Sequence, residues 1–153
     1  QPLHVNIKKR LVRTPKMLLT DSGLLCNLLG IRSPDELRTH PLRGAIFESF
    51  VFSELLKQRF NQNESRRMLY YRDRQGLEVD AIIERAGQIT AVEMKSSETI
   101  STHQFKALNR FCMLMKDTEM KVNPFLIYGG NDVQHRSDVT VVSWNRLHEI
   151  NWC

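Results

Sequence analysis

The chain has 153 residues, 41% hydrophobic and 25% charged, with a formal charge of +5. That is enough for one domain with a real core, and it is the composition of an ordinary globular protein. No apolar run approaches the ~20 residues of a membrane span, and no signal-peptide pattern opens the chain. Cys26, Cys112 and Cys153 are scattered and lack Cys-x-x-Cys spacing, which argues against a zinc site or disulfide scaffold and for a reducing, cytoplasmic setting. The first residue is Gln1 rather than Met, so a piece of a longer protein is expected.

The charge is unevenly placed. Lys8, Lys9, Arg10, Arg13 and Lys16 open the chain with no acid among them; without these five, the remaining basic residues balance the 17 acids. Residues 1–20 therefore read as a basic arm, suited to phosphate contact or simply solvated. Within it, Val5 to Val12 reads as extended and Met17-Leu18-Leu19 as a short strand. Asp21 or Ser22 is placed to cap an apolar stretch that Gly30 closes, and a turn of helix is expected after Pro34. Gly44 to Phe60 has the strongest helical pattern. Its Glu48 falls between Val51, Phe52 and Leu55, inside the apolar arc, where a carboxylate is costly unless paired or liganded. Near the helix start, however, the dipole alone would favour it.

After a polar loop, Met68 to Asp73 reads as a strand, and Arg74-Gln75-Gly76 turns it into a β-hairpin from Leu77 to Lys95. Val79, Ala81 and Ile83 alternate with Glu78, Asp80 and Glu84, the period-2 signature of a strand. Ala86-Gly87 supplies the turn, with two or four loop residues. Either length gives one register: Glu84 opposite Ile89, Asp80 opposite Glu93, Glu78 opposite Lys95. A helix over Thr102 to Met115, strands at Pro124 to Tyr128 and Val139 to Trp144, and a short helix at Arg146 to Ile150 complete the chain. This order predicts an α/β fold with helices on the faces of one mixed sheet.

The register opposes Asp80 to Glu93, and like charges so placed destabilise a strand pair. A divalent cation would neutralise them, since Mg²⁺ takes hard oxygen ligands. Glu48, Asp80 and Glu93 are the candidate metal ligands, with Mg²⁺ or Mn²⁺ as cofactor, and Glu78 is a possible addition. Lys95 is the candidate to orient water or offset developing charge. Arg66, Arg67, Arg72 and Arg74 are candidates for phosphate contact or for a solvated rim, as are Gln104 and Lys106. His4, His40, His103, His135 and His148 show no metal spacing. Tyr70, Tyr71, Phe105 and Phe111 read as core, and Trp144 and Trp152 as packing for the C-terminal strand and helix.

Asp80, then Glu93-Met94-Lys95 on the next strand, with Glu48 on the preceding helix, resembles the active-site pattern of the PD-(D/E)XK nuclease superfamily. Pro15-Lys16-Met17 through Gly23-Leu24, Gly44 through Glu54-Leu55, Tyr71-Arg72 through Asp80, and Glu93 through Ser97 together resemble the C-terminal domain of prokaryotic AAA-type ATPases. That resemblance covers Pro15 to about Tyr128. It implies a restriction-endonuclease-like mixed sheet flanked by helices over residues 21–153, preceded by the end of a winged-helix segment or linker in residues 1–20. It also implies catalytic roles for Glu48, Asp80, Glu93 and Lys95, and as partners DNA and an ATPase module of the same full-length chain. Val79 stands where the superfamily motif names proline. No Gly-x-x-x-x-Gly-Lys-Ser/Thr loop occurs, so this stretch does not itself carry ATP hydrolysis. The rival expectations are a non-catalytic docking or nucleic-acid-binding module, and a structural ion-pair cluster in which Lys95 neutralises Glu78 and Glu93.

Overall fold

The computed structural model describes residues 16–64, 68–132, 134–136 and 138–152. The expected extended segment Val5 to Val12, the cations Lys8, Lys9, Arg10 and Arg13, and Arg66 and Arg67 lie outside them. Three helices open the described chain. In α1 (Ser22–Leu28), Asp21 is the N-cap and accepts from Leu24 N–H at 2.8 Å. In α2 (Pro34–Thr39), Ser33 caps and Pro34 fills the first turn, where its missing N–H costs nothing. The long α3 (Arg43–Asn61) buries Ile46, Val51 and Leu55.

Strands β1 (Leu69–Arg72), β2 (Glu78–Arg85) and β3 (Gln88–Lys95) form an antiparallel meander. The β2–β3 turn has two residues, Ala86 at φ 47° and Gly87 at φ 78°, the positive pair that lets a tight hairpin follow the strand twist. A single 3₁₀ turn (Thr102–Phe105) then leads into α4 (Lys106–Met115). This crosses over to β4 (Lys121–Tyr128), which lies parallel to β3. Strand β6 (Val139–Ser143) lies parallel to β4, and β5 (Gln134–Arg136) pairs antiparallel at the edge. Among the described residues the sheet has six strands in the order β1-β2-β3-β4-β6-β5. A 3₁₀ segment, Trp144–Glu149, follows.

Two apolar layers hold the sheet. On one face Leu108, Phe111 and Met115 of α4 pack on Val79, Ile82, Ala91 and Leu126. On the other, Val51 and Leu55 of α3 pack with Leu147 and Trp152 on Ala81, Ile83, Val92 and Ile127. The protein is therefore a mixed α/β fold with one mixed sheet flanked by helices. No helix among the described residues is long and apolar enough to cross a membrane.

Three details differ from the sequence reading. Met17 to Leu19 forms no strand; the segment finds no ladder partner, and Met17 is 89% exposed. Strand β4 starts at Lys121 rather than Pro124, because Pro124 lies in the stretch that pairs only with β3, the β4–β6 pairing starting at Phe125. Trp144 is 40% exposed, edge-on to Phe50 at 5.7 Å, whereas Trp152 is buried and donates from its indole to Leu147 O at 2.8 Å.

Candidate active site

The site begins with an irregularity in β2. Leu69 pairs with Ile82 and Tyr71 with Val79, so β1 advances two residues while β2 advances three. The extra residue is a β-bulge at Asp80–Ala81. Its effect is visible in the packing: Val79 joins the α4 layer and Ala81 the α3 layer, although they are two apart. The β2–β3 ladder matches the expected register from Arg85–Gln88 to Ala81–Val92 and stops there. The expected pairs Asp80–Glu93 and Glu78–Lys95 lie beyond the last pair of this ladder, at the bulge, where Asp80 turns one carboxylate oxygen to the neighbouring backbone. Its Oδ2 accepts the Met94 N–H at 2.9 Å.

Asp80 and Glu93 are both buried, 8% and 6% exposed. Lys95 donates from Nζ to Glu93 Oε1 at 2.5 Å. The other Glu93 oxygen, Oε2, is buried without a hydrogen-bond partner among the described residues, which is costly for a charged group. Glu48, partly exposed on α3, enters the cluster through a residue that the sequence reading had assigned to the arm. Lys16 Nζ lies 2.8 Å from Glu48 Oε2, 3.0 Å from Asp80 Oδ1 and 3.4 Å from Glu78 Oε1. Glu78 also meets Arg72 Nε at 3.7 Å. Lys95 therefore does not bridge Glu78 and Glu93; Glu78 belongs to Lys16.

The electrostatics follow from burial and crowding. Burial, and then the charge of Asp80, push the Glu93 carboxyl up to about 7, against the pull of Lys95. Burial and Asp80 likewise raise Glu48 above the usual carboxylate range, opposed by Lys16. For Lys16, burial works against the charged form, but Asp80 and Glu48 outweigh it and hold the ammonium above the usual lysine range. Lys95 is raised in the same way, Glu93 outweighing burial.

Hard oxygen donors and one unpartnered buried carboxylate oxygen are the donor chemistry that Mg²⁺ or Mn²⁺ takes. The arrangement is different: among the described residues no three His, Cys, Asp or Glu side chains converge as a ready-made ligand set. Glu48, Asp80 and Glu93 are brought into one charge cluster, but an ammonium group is the cation between Glu48 and Asp80.

Other candidates resolve differently. Gln104 accepts from Ser101 N–H at 3.0 Å and donates to Ser97 Oγ at 2.8 Å, closing a capping box. Lys106 and Arg74 are exposed. Tyr70, Tyr71, Phe105 and Phe111 are core. Lys16 was the residue missed. The signal for it was a charge deficit: Glu48, Glu78, Asp80 and Glu93 outnumber Lys95, so a second cation had to come from elsewhere in the chain. A separate cavity of about 480 Å³ is lined by Phe47, Phe50 and Trp144 with Arg38 and Arg43.

Similarity to other proteins gives a family but no activity. The chain is 36% identical over 100 residues to uncharacterized protein Mb2031c of Mycobacterium bovis and, equally, to uncharacterized protein Rv2008c of Mycobacterium tuberculosis; the match covers 65% of this chain and 22% of each relative. The chain thus spans about a fifth of the length of these relatives. No solved structure matches it. Residues 43–147, which include α3, the hairpin and both parallel strands after it, match a family model described as a domain of unknown function, DUF4143, and the chain belongs to that family.

Proposed function

We propose that this domain hydrolyses DNA phosphodiesters with Mg²⁺ or Mn²⁺, as a PD-(D/E)XK-like nuclease of restriction-endonuclease-like type, within a longer cytoplasmic protein that also carries an ATPase module. The observation that supports it most is the burial of Asp80 and Glu93 on adjacent strands, with Lys95 bonded to Glu93 and Glu48 in the same cluster. Buried carboxylates in excess of their cations are expensive as scaffold and useful as a cation site.

In this reading Asp80, Glu93 and Glu48 would hold the ion, which when bound polarises the phosphate and activates water. The chain's own residues do the rest. The Met94 N–H fixes the Asp80 carboxylate through a strand amide, so its orientation is set by the sheet. Lys95, on the same strand as Glu93, presents a positive donor where negative charge develops on phosphate. Plasmid, branched and single-stranded DNA incubated with Mn²⁺ test the reading. Metal-dependent cleavage is expected, at least a hundredfold weaker in Asp80→Ala and Lys95→Ala, on the scale of losing one electrostatic stabiliser. Cleavage absent from the wild type, or unchanged in Asp80→Ala, would remove the basis for it.

A second reading has its own observation. The carboxylates close around Lys16 rather than around one another, as suits a module that docks on its ATPase or binds nucleic acid without cutting it. Binding of DNA with no Mn²⁺ heat signal in calorimetry would favour that module.

A further inference from the structure

We infer that Lys16 is the resident cation of the acidic site, and that a divalent ion enters by exchange for its ammonium group. This rests on the metal-dependent reading above and adds a condition to it: the site is closed while Lys16 is in place.

Four observations support the exchange. First, Lys16 is bound as a cation ligand set would bind an ion, with oxygens from three residues, Glu48, Asp80 and Glu78, at 2.8, 3.0 and 3.4 Å. Those oxygens come from α3 and β2, elements far from Lys16 in the chain. Second, among the described residues no three acidic side chains converge as a ligand set, and the cation between Glu48 and Asp80 is the ammonium.

Third, among the described residues Lys16 and the three that follow it form no helix or strand. Met17 is 89% exposed, and the segment is next fastened at Thr20, whose carbonyl accepts from Ser53 Oγ at 2.7 Å. The side chain can leave without breaking a ladder or a helix. Fourth, a cavity of about 160 Å³ adjoins the ammonium, lined by Lys16, Leu18, Phe52, Met68, Tyr70 and Asp80 among others. Tyr70, one of these residues, has a buried hydroxyl without a hydrogen-bond partner among the described residues. A polar cavity of this size has room for several waters, which a Mg²⁺ ion retains when it binds carboxylates.

Charge gives the direction. Glu48, Glu78, Asp80 and Glu93 face the ammonium groups of Lys16 and Lys95, with Arg72 at the rim beside Glu78. Replacing one monovalent ammonium by a divalent ion reduces the remaining negative excess. It also supplies a centre for Glu93 Oε2, which has no hydrogen-bond partner among the described residues.

The test is Mn²⁺ binding to the 153-residue chain, by calorimetry and by the electron paramagnetic resonance signal of free Mn²⁺. Lys16→Met is expected to bind Mn²⁺ at least ~10-fold more tightly than wild type, since no ammonium has to be displaced, and Asp80→Asn is expected to abolish binding in both backgrounds. Equal or weaker binding by Lys16→Met than by wild type overturns the exchange and leaves the metal-dependent reading standing. No binding by either protein overturns both. Because Lys16→Met leaves carboxylates unpaired and could fail to fold, the wild type carries a second measurement. Lysine acylation followed by mass spectrometry should show Lys16 protected without metal and labelled several-fold faster with saturating Mn²⁺, while Lys57, 63% exposed on its side chain, stays constant. Lys16 labelling unchanged by bound Mn²⁺ would overturn the proposal.

Discussion

Replacing Glu93 by glutamine removes a buried, crowded carboxyl from the site, and its effect on stability has a definite pH dependence. Glu93 is 6% exposed, and one of its oxygens has no hydrogen-bond partner among the described residues. Its carboxyl is pushed from 4.5 up to about 7, first by burial and then by Asp80. Between those two values the folded protein keeps the Glu93 proton while the unfolded chain has lost it. The folded state then binds more protons, so stability falls as pH rises. The protonated form's contribution is fully present below pH 4.5 and is lost as pH passes about 7. At about 1.4 kcal/mol per pH unit, the interval sets a ceiling of about 3 kcal/mol. A glutamine cannot ionise and is free of this loss. Urea unfolding of both proteins from about pH 4 to about pH 8 in the presence of a chelator measures it. Glu48 titrates in both proteins, and its contribution largely cancels in the difference. The Glu93→Gln protein should gain about 2–3 kcal/mol on the wild type across the range, most of it between pH 5 and 7. A difference constant to within about 0.5 kcal/mol would refute the claim that Glu93 is held in a desolvated, like-charged setting.

Three further outcomes follow from the packing around the site. A Cβ on Gly129 would lie 2.6 Å from Ser96 O, where the two strand ends are tied by Gly129 N–H to Lys95 O at 3.0 Å. Gly129→Ala should therefore cost about 1–3 kcal/mol in urea unfolding, and it should weaken cleavage by displacing Lys95. Trp152→Ala removes a buried ring lying 5.0 Å from Phe125 and an indole bond to Leu147 O; a loss of about 3–5 kcal/mol is expected, with the Mn²⁺ affinity of the remaining folded protein unchanged. Gly87→Val puts a β-branched residue at φ 78° and should cost about 1–3 kcal/mol, read as a lower urea midpoint at constant slope.

The hairpin was legible because its signals are local: alternation on the first arm, β-branched and apolar residues on the second and a Gly at the turn fix the pairing from Arg85–Gln88 to Ala81–Val92. The helices α3 and α4 were legible for the same reason, and the cap of α1 as far as the choice between Asp21 and Ser22, which the structure gives to Asp21. The bulge at Asp80 was not legible, for a different reason. The bulge is set by how β1 pairs with β2, and β1 carries no mark of that shift in its own sequence. Lys16 lies 64 residues from Asp80 in the chain, and its charge was indistinguishable from the cations that precede it. The site's residue types could thus be read from spacing, whereas the cation among them could be found only from the fold. The strand β5 at Gln134–Arg136 was missed because three residues give too short a pattern for any period to show.

The most direct measurement is a crystal of the domain soaked in Mn²⁺ and recorded at a wavelength that reveals the ion by anomalous scattering. A peak bound by the Asp80 and Glu93 carboxylates, with Lys16 withdrawn from Glu48 and Asp80, is the predicted result. An empty anomalous map at saturating Mn²⁺, with the Lys16 ammonium still between Glu48, Glu78 and Asp80, would contradict the account.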